Sequence, residues 1–186
     1  MKTSTAVSAS ASPRVKRLAF SGVFLALALV LPFLTGQIPQ IGSALLPMHL
    51  PVLLCGFVCG WPWGLAVGAV APLLRSVLMG MPPMFPTAAA MAFELAAYGA
   101  VSGLLCRILP KKPLSIYASL LGAMLAGRVL WGIVRYFFAG LAGSTFNMAA
   151  FWGGAVLSAL PGIVLQLALI PLIVLSMQKA GLTFRE

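Results

Sequence analysis

Acidic side chains are scarce in this sequence. Of 186 residues only two are Asp or Glu, and both are glutamates, Glu94 and Glu186; charged residues of either sign make up 8%. A water-soluble domain carries about 25% charged residues. With 61% hydrophobic residues and a mean hydropathy of +1.07, no water-soluble fold of this length can hide its apolar surface, so its solvent must be lipid. The lack of aspartate and the single histidine also leave little for catalysis. There is no His-Glu-x-x-His pair, no Gly-x-Ser-x-Gly elbow and no Gly-rich phosphate loop. Cysteine is sparse and odd in number. Cys55, Cys59 and Cys106 lie within or at the ends of apolar stretches and form no disulfide framework. Cys55 and Cys59 are four apart with His49 nearby, but small apolar packing residues are the better account than a metal site.

What is present is a series of six apolar segments: Leu18–Leu34, Ala44–Cys59, Pro62–Gly80, Thr87–Leu109, Leu114–Gly140 and Met148–Met177. The fold class expected is an all-α integral membrane protein with six transmembrane helices and both termini cytoplasmic. Residues 1–17 read as a disordered basic cytoplasmic tail, 18–178 as the membrane domain and 179–186 as a short cytoplasmic tail. The first run is long enough to span a bilayer, and "TGQIPQIG" after it offers no small-x-small cleavage site, so it reads as a retained helix rather than a signal peptide. The net charge of +10 is not gathered on one polar face, which argues against nucleic acid. Lys2, Arg14, Lys16 and Arg17 precede the first segment. Arg107, Lys111 and Lys112 separate the fourth from the fifth, and Lys179 and Arg185 follow the sixth. With six spans all of these fall on the inner side, while Thr35–Ser43, Met81–Pro86 and Leu141–Asn147 contain no Lys or Arg, as the positive-inside rule requires. The sixth segment is long for one span and contains Pro161 and Pro171, so a tilt or kinks are expected.

Four charges remain inside the apolar segments: Arg75, Glu94, Arg128 and Arg135. Each is costly at bilayer depth unless paired, hydrated or snorkelling. At a rise of about 1.5 Å per residue, Arg75 lies roughly 8 Å below the outer end of its segment and Glu94 roughly 10 Å. Arg135 falls in the same layer, with Arg128 on the same face about two turns deeper. The short connection between the third and fourth segments makes them neighbours, so Arg75 and Glu94 are expected to face each other. One acid among three arginines leaves a positive surplus, which favours an outward-open pocket for a solute bearing a carboxylate or similar group. His49, Asn147, Tyr98 and Trp131 lie in or near this layer as further candidate contacts, with Tyr136 as another aromatic wall. Gln166 lies deeper, where it could bridge two helices. On the first segment Gly22 and Ala26 are four apart, with Ala19 and Val23 on an adjacent row, a spacing that lets another helix approach closely. The neighbour could belong to the same chain or to a partner.

The length, the six spans, the basic inner side and the stretch "LPMHLPVLLCGFVCGWPWGLAVGAVAPLLRSVLMGMPPMFPTAAAMAFELAAYG" together resemble the substrate-binding S components of energy-coupling factor (ECF) transporters. The likeness is clearest over His49–Gly103, and in particular to the vitamin-type group that includes pantothenate and folate binders. The resemblance implies a subunit of the prokaryotic plasma membrane that captures a small water-soluble vitamin near the outer face. Thr35–Pro47 and Gly80–Pro86 would act as gating loops. It also implies a transmembrane coupling subunit and two cytoplasmic ATPases as partners, with no cofactor on this chain. The family's coupling surface, a run of alanines four apart, would fall on Gly22 and Ala26, with Val30 departing from the small-residue rule. Two alternatives stay open on the residues alone. A self-sufficient secondary transporter would use Glu94 for proton coupling, and an intramembrane enzyme would have to work with one histidine and one buried acid.

Overall fold

The fold, taken from a computed structural model, is described for residues 12–35, 38, 44–110, 112–143 and 147–184. It is helical, with no strand among the described residues. The first helix, α1, runs Pro13–Val30 and tightens into a 3-10 turn over Leu31–Thr35. It starts before the apolar run does. The Ser12 hydroxyl accepts from the Val15 amide at 3.4 Å and Pro13 occupies the first turn, a pairing of N-cap and proline that favours initiation there. Arg14, Lys16 and Arg17 therefore belong to the helix, whereas the tail was expected to reach residue 17; residues 1–11 lie outside the described residues.

The second segment yields a helix, α2, over His49–Cys59 only. The chain breaks at Leu46, which takes a left-handed φ of 51°, and Pro47 follows. At 1.5 Å per residue these 11 residues reach roughly 16 Å, half of a hydrocarbon core. Ten of the eleven are buried, so α2 is the axis of the bundle rather than part of its lipid-facing wall. Gly60, at φ 97°, turns the chain directly into α3 (Trp61–Met79), a reversal open to a residue without Cβ. A single wide turn at Met84–Ala88 leads into α4 (Ala89–Ile108), and α5 spans Pro113–Leu141. The last segment is broken ahead of Pro161 but continues as helix through Pro171. Met148–Trp152 forms the short α6, a wide turn covers Gly153–Leu157, and α7 runs Leu160–Lys179 with Pro161 in its first turn and Pro171 within.

Among the described residues, five stretches are long and apolar enough to cross a membrane: Pro13–Leu34, Trp61–Met79, Met84–Ile108, Pro113–Leu141 and Leu160–Lys179. Their outward faces carry large exposed apolar side chains, among them Val70, Val77, Leu121, Leu125, Ile133, Val164 and Leu172. In water such a surface would aggregate; against lipid it is solvated.

The core is a close-packed knot of α2, α3 and α4 made possible by glycine. A Cβ on Gly64 would stand 2.5 Å from the Gly99 carbonyl oxygen, and one on Gly68 would strike the Leu95 carbonyl. A Cβ on Gly56 would strike Ser102 and Gly99, and one on Gly103 the backbone of Trp61. Small residues in facing positions bring backbones together and replace hydrophobic driving force with dispersion contacts. Val52, Leu53, Phe57, Leu95 and Leu120 fill the remaining space.

Candidate ligand site

Close packing of α5 on α4 creates the polar centre of the molecule. A side chain at Gly127 would come within 2.9 Å of the Tyr98 ring and 3.0 Å of the Glu94 carbonyl. The glycine thus seats α5 directly over the Glu94–Tyr98 turn, and the next residue, Arg128, reaches across. Arg128 Nη1 lies 2.9 Å from Glu94 Oε1, and His49 Nε2 approaches the same oxygen at 3.4 Å from the start of α2. Tyr98 meets the His49 ring edge-on at 5.2 Å, and its hydroxyl interacts with both Glu94 and Arg128. The cluster is closed from solvent: Glu94 is 1% exposed, Tyr98 1% and His49 2%.

The pairing differs from the expected one. Arg75 is buried but does not pair with Glu94. Its Nη1 donates to the Leu29 carbonyl at 2.5 Å and lies 3.2 Å from Met79 Sδ, while its guanidinium covers the Phe33 ring at 5.2 Å. The reason is a shift in level. With the wide turn at Met84 included, Glu94 sits about 15 Å into its span, deeper than a start at Thr87 implies and opposite Arg128 rather than the layer of Arg75 and Arg135. Arg135 stays two turns along α5, its guanidinium 5.9 Å from the Trp131 ring. Asn147 is exposed, and its backbone carbonyl accepts from the Phe151 amide at the start of α6. Sequence reasoning missed Gly127. The signal was the "AGR" triplet, a small pair directly before an arginine within an apolar helix, which marks a place where another helix comes close.

The cluster is incompletely satisfied. Both ring nitrogens of His49, Oε1 of Glu94 and Nε and Nη2 of Arg128 are buried without a hydrogen bond; the contacts to Glu94 Oε1 are ion-pair distances without hydrogen-bond alignment. The Nε–Nη2 side of a guanidinium is a planar two-donor edge that fits a carboxylate bidentately. Glu94 therefore holds one corner of Arg128 and leaves its two-donor Nε–Nη2 edge unpartnered. A cavity of about 120 Å³ lies at the other end of the bundle, among Arg17, Cys59, Trp61, Cys106, Arg107 and Phe184, apart from this cluster. No three side chains among His, Cys, Asp and Glu gather to hold a metal ion among the described residues; the three cysteines are buried free thiols.

On α1 one face is buried through Ser21, Phe24 and Ala28. The opposite row of Ala19, Gly22, Val23, Ala26 and Val30 is exposed, and nothing lies within 4 Å of a Cβ placed on Gly22. The small residues thus face outward rather than into the same chain.

A helical bundle with lipid-compatible walls around a buried cluster of opposite charges belongs to the class of multi-pass membrane proteins. Comparison with protein families makes this specific. Residues 16–174 match the family "ECF transporter, substrate-specific component", and the chain belongs to that family. Its members are transport subunits, not enzymes themselves. Comparison with curated proteins and with solved structures finds no match.

Proposed function

We propose that this chain is the membrane-embedded vitamin-binding subunit of an ATP-driven uptake system, and that its ligand is a small carboxylate resembling pantothenate. Arg128 grips the ligand carboxylate through its Nε–Nη2 edge. Glu94 holds the guanidinium in place, His49 and Tyr98 line the cleft, and Trp131 and Arg135 form the approach from the outer end of α5. Arg75 supports the site indirectly by fixing α1. The observation that carries this reading is the buried, unpartnered edge of Arg128. A guanidinium withdrawn from water and half-paired is unstable unless an anion or water completes it, and a carboxylate matches that edge in shape and charge.

In this reading the chain crosses the prokaryotic plasma membrane six times, with α2 as a short buried span and the basic clusters inside. The segment Gly80–Pro86 and the turn after it close the outer end of the cleft; Phe85 packs on Phe138 near the end of α5 at 4.9 Å, a contact that must part to admit a ligand. The outward row around Gly22 and Ala26 receives a transmembrane coupling subunit, which connects to two cytoplasmic ATPases, since the chain has no nucleotide-binding loop of its own.

Isothermal titration of the purified protein with pantothenate tests the carboxylate grip, with mass analysis of any co-purifying small molecule. Arg128→Lys should weaken binding at least tenfold, because an ammonium cannot make the bidentate contact. Tighter binding of an uncharged vitamin than of any carboxylate sinks the proposal. Proton-driven uptake by liposomes containing this chain alone would favour a self-sufficient transporter with Glu94 as its proton carrier.

A further inference from the structure

Helix α7 buries the stripe Gly162, Gln166, Ile170 and Val174. Gln166 is the one polar member of that stripe. It is 1% exposed, and both its Oε1 and its Nε2 are buried without a hydrogen-bond partner. A carboxamide offers two donors and one acceptor oxygen, and a buried amide left unmet weakens the fold. A glutamine that merely tied two helices together would have a partner; this one has none.

Its level along the bundle gives it a purpose. Gly162 backs onto the carbonyls of Ala44 and Leu45, just ahead of α2. Beyond the far end of α7, the Phe184 amide donates to the Val58 carbonyl at 2.9 Å. α2 and α7 therefore run in the same direction with their starts side by side. Gln166, in the second turn of α7, therefore lies in the same half of the bundle as the His49 imidazole at the start of α2, whose two nitrogens are also unpartnered. From these observations we infer that Gln166 is a specificity residue for the neutral polar part of the ligand, donating to and accepting from an amide or hydroxyl while Arg128 holds the carboxylate. The inference rests on the ligand site proposed above. It adds that the ligand must carry a neutral donor–acceptor group, because an apolar tail would leave the carboxamide unmet and be rejected.

The test compares wild type and Gln166→Leu with three probes by titration and by ligand-free thermal unfolding. Pantothenate carries carboxylate, amide and hydroxyls; pantothenol keeps the amide and hydroxyls but lacks the carboxylate; nicotinate has a carboxylate without those groups. The substitution should weaken pantothenate and pantothenol at least tenfold and change nicotinate less than twofold. Ligand-free Tm should stay level or rise, because an apolar side chain of similar size replaces an unsatisfied amide. If wild type binds pantothenol as tightly as pantothenate while Gln166→Leu still weakens both, the carboxylate reading falls and the Gln166 inference stands. A lowered ligand-free Tm with equal losses for all three probes makes Gln166 a packing residue and overturns the inference. Unchanged pantothenate affinity in the variant overturns it too, as does failure of wild type to bind either amide-bearing probe.

Discussion

Arg75 and Arg128 are the same residue in the same kind of setting, yet the fold treats them in opposite ways. Both sit within apolar helices. Around Arg75 the chain supplies what the guanidinium needs: the Leu29 carbonyl, the Met79 sulfur and the Phe33 ring. The carbonyl belongs to the last turn of α1, at the step into the 3-10 turn, so Arg75 ties that end of α1 to α3. Around Arg128 the chain supplies one carboxylate corner and the Tyr98 hydroxyl, and leaves the Nε–Nη2 edge unmet. A membrane protein can thus use a buried arginine as a finished joint or as an unfinished one, and only the unfinished one has anything left to offer a ligand.

The largest test of this contrast lies at Arg128. Arg128→Met should abolish carboxylate binding, a loss of at least a hundredfold in affinity, and should lower stability because Glu94 is then buried uncompensated; breaking a buried pair costs about 3–5 kcal/mol. The double variant Glu94→Gln, Arg128→Met should recover much of that stability without recovering binding, as thermal unfolding beside titration would show. Additive losses would mean that the two groups do not act as a pair. Next in size is Glu94→Gln alone. It should lower the ligand-free Tm and enlarge the Tm rise caused by a carboxylate ligand, since the anion then supplies the only countercharge. A Tm rise smaller than that of wild type would place Glu94 on the ligand rather than on the arginine.

A smaller effect is expected at Arg75. Arg75→Met should cost about 1–3 kcal/mol, the value of a buried polar group left unmet, and should change pantothenate affinity less than threefold. A tenfold loss would mean that the two arginines are not different in kind. Smallest is Arg75→Lys, which retains a donor for the Leu29 carbonyl but loses the planar stack on Phe33. A Tm between those of wild type and Arg75→Met is expected, with ligand affinity unaltered.

Much of the molecule was legible before any coordinates. Hydropathy located the spans, and five of the six apolar segments contain a helix long enough to cross a membrane. The exception, Ala44–Cys59, shows what hydropathy misses. A run of apolar residues signals burial without saying whether lipid or protein does the burying, and the break at Leu46 and Pro47 cuts the helix to His49–Cys59. Glu94, His49, Tyr98 and Arg128 were all legible as candidates, because a polar group in an apolar run is conspicuous wherever it points. Their grouping was less so. The pairing expected for Glu94 followed from the neighbouring helices and an assumed start at Thr87. The one observed depends on the turn at Met84 and on Gly127, which lets α5 lie against Tyr98.

Composition and the order of residues were enough to determine that this chain lives in lipid as a helical bundle, and which few side chains are too costly to be there without a reason. Those properties are sums over local residues, and transfer free energy needs no knowledge of neighbours. Which arginine meets the one buried acid was decided only by tertiary structure. Each residue adds 1.5 Å of rise and 100° of rotation, so an uncertainty of three residues in where one helix begins moves a side chain by more than an ion pair can stretch. Only the glycine-set contacts between helices remove that uncertainty.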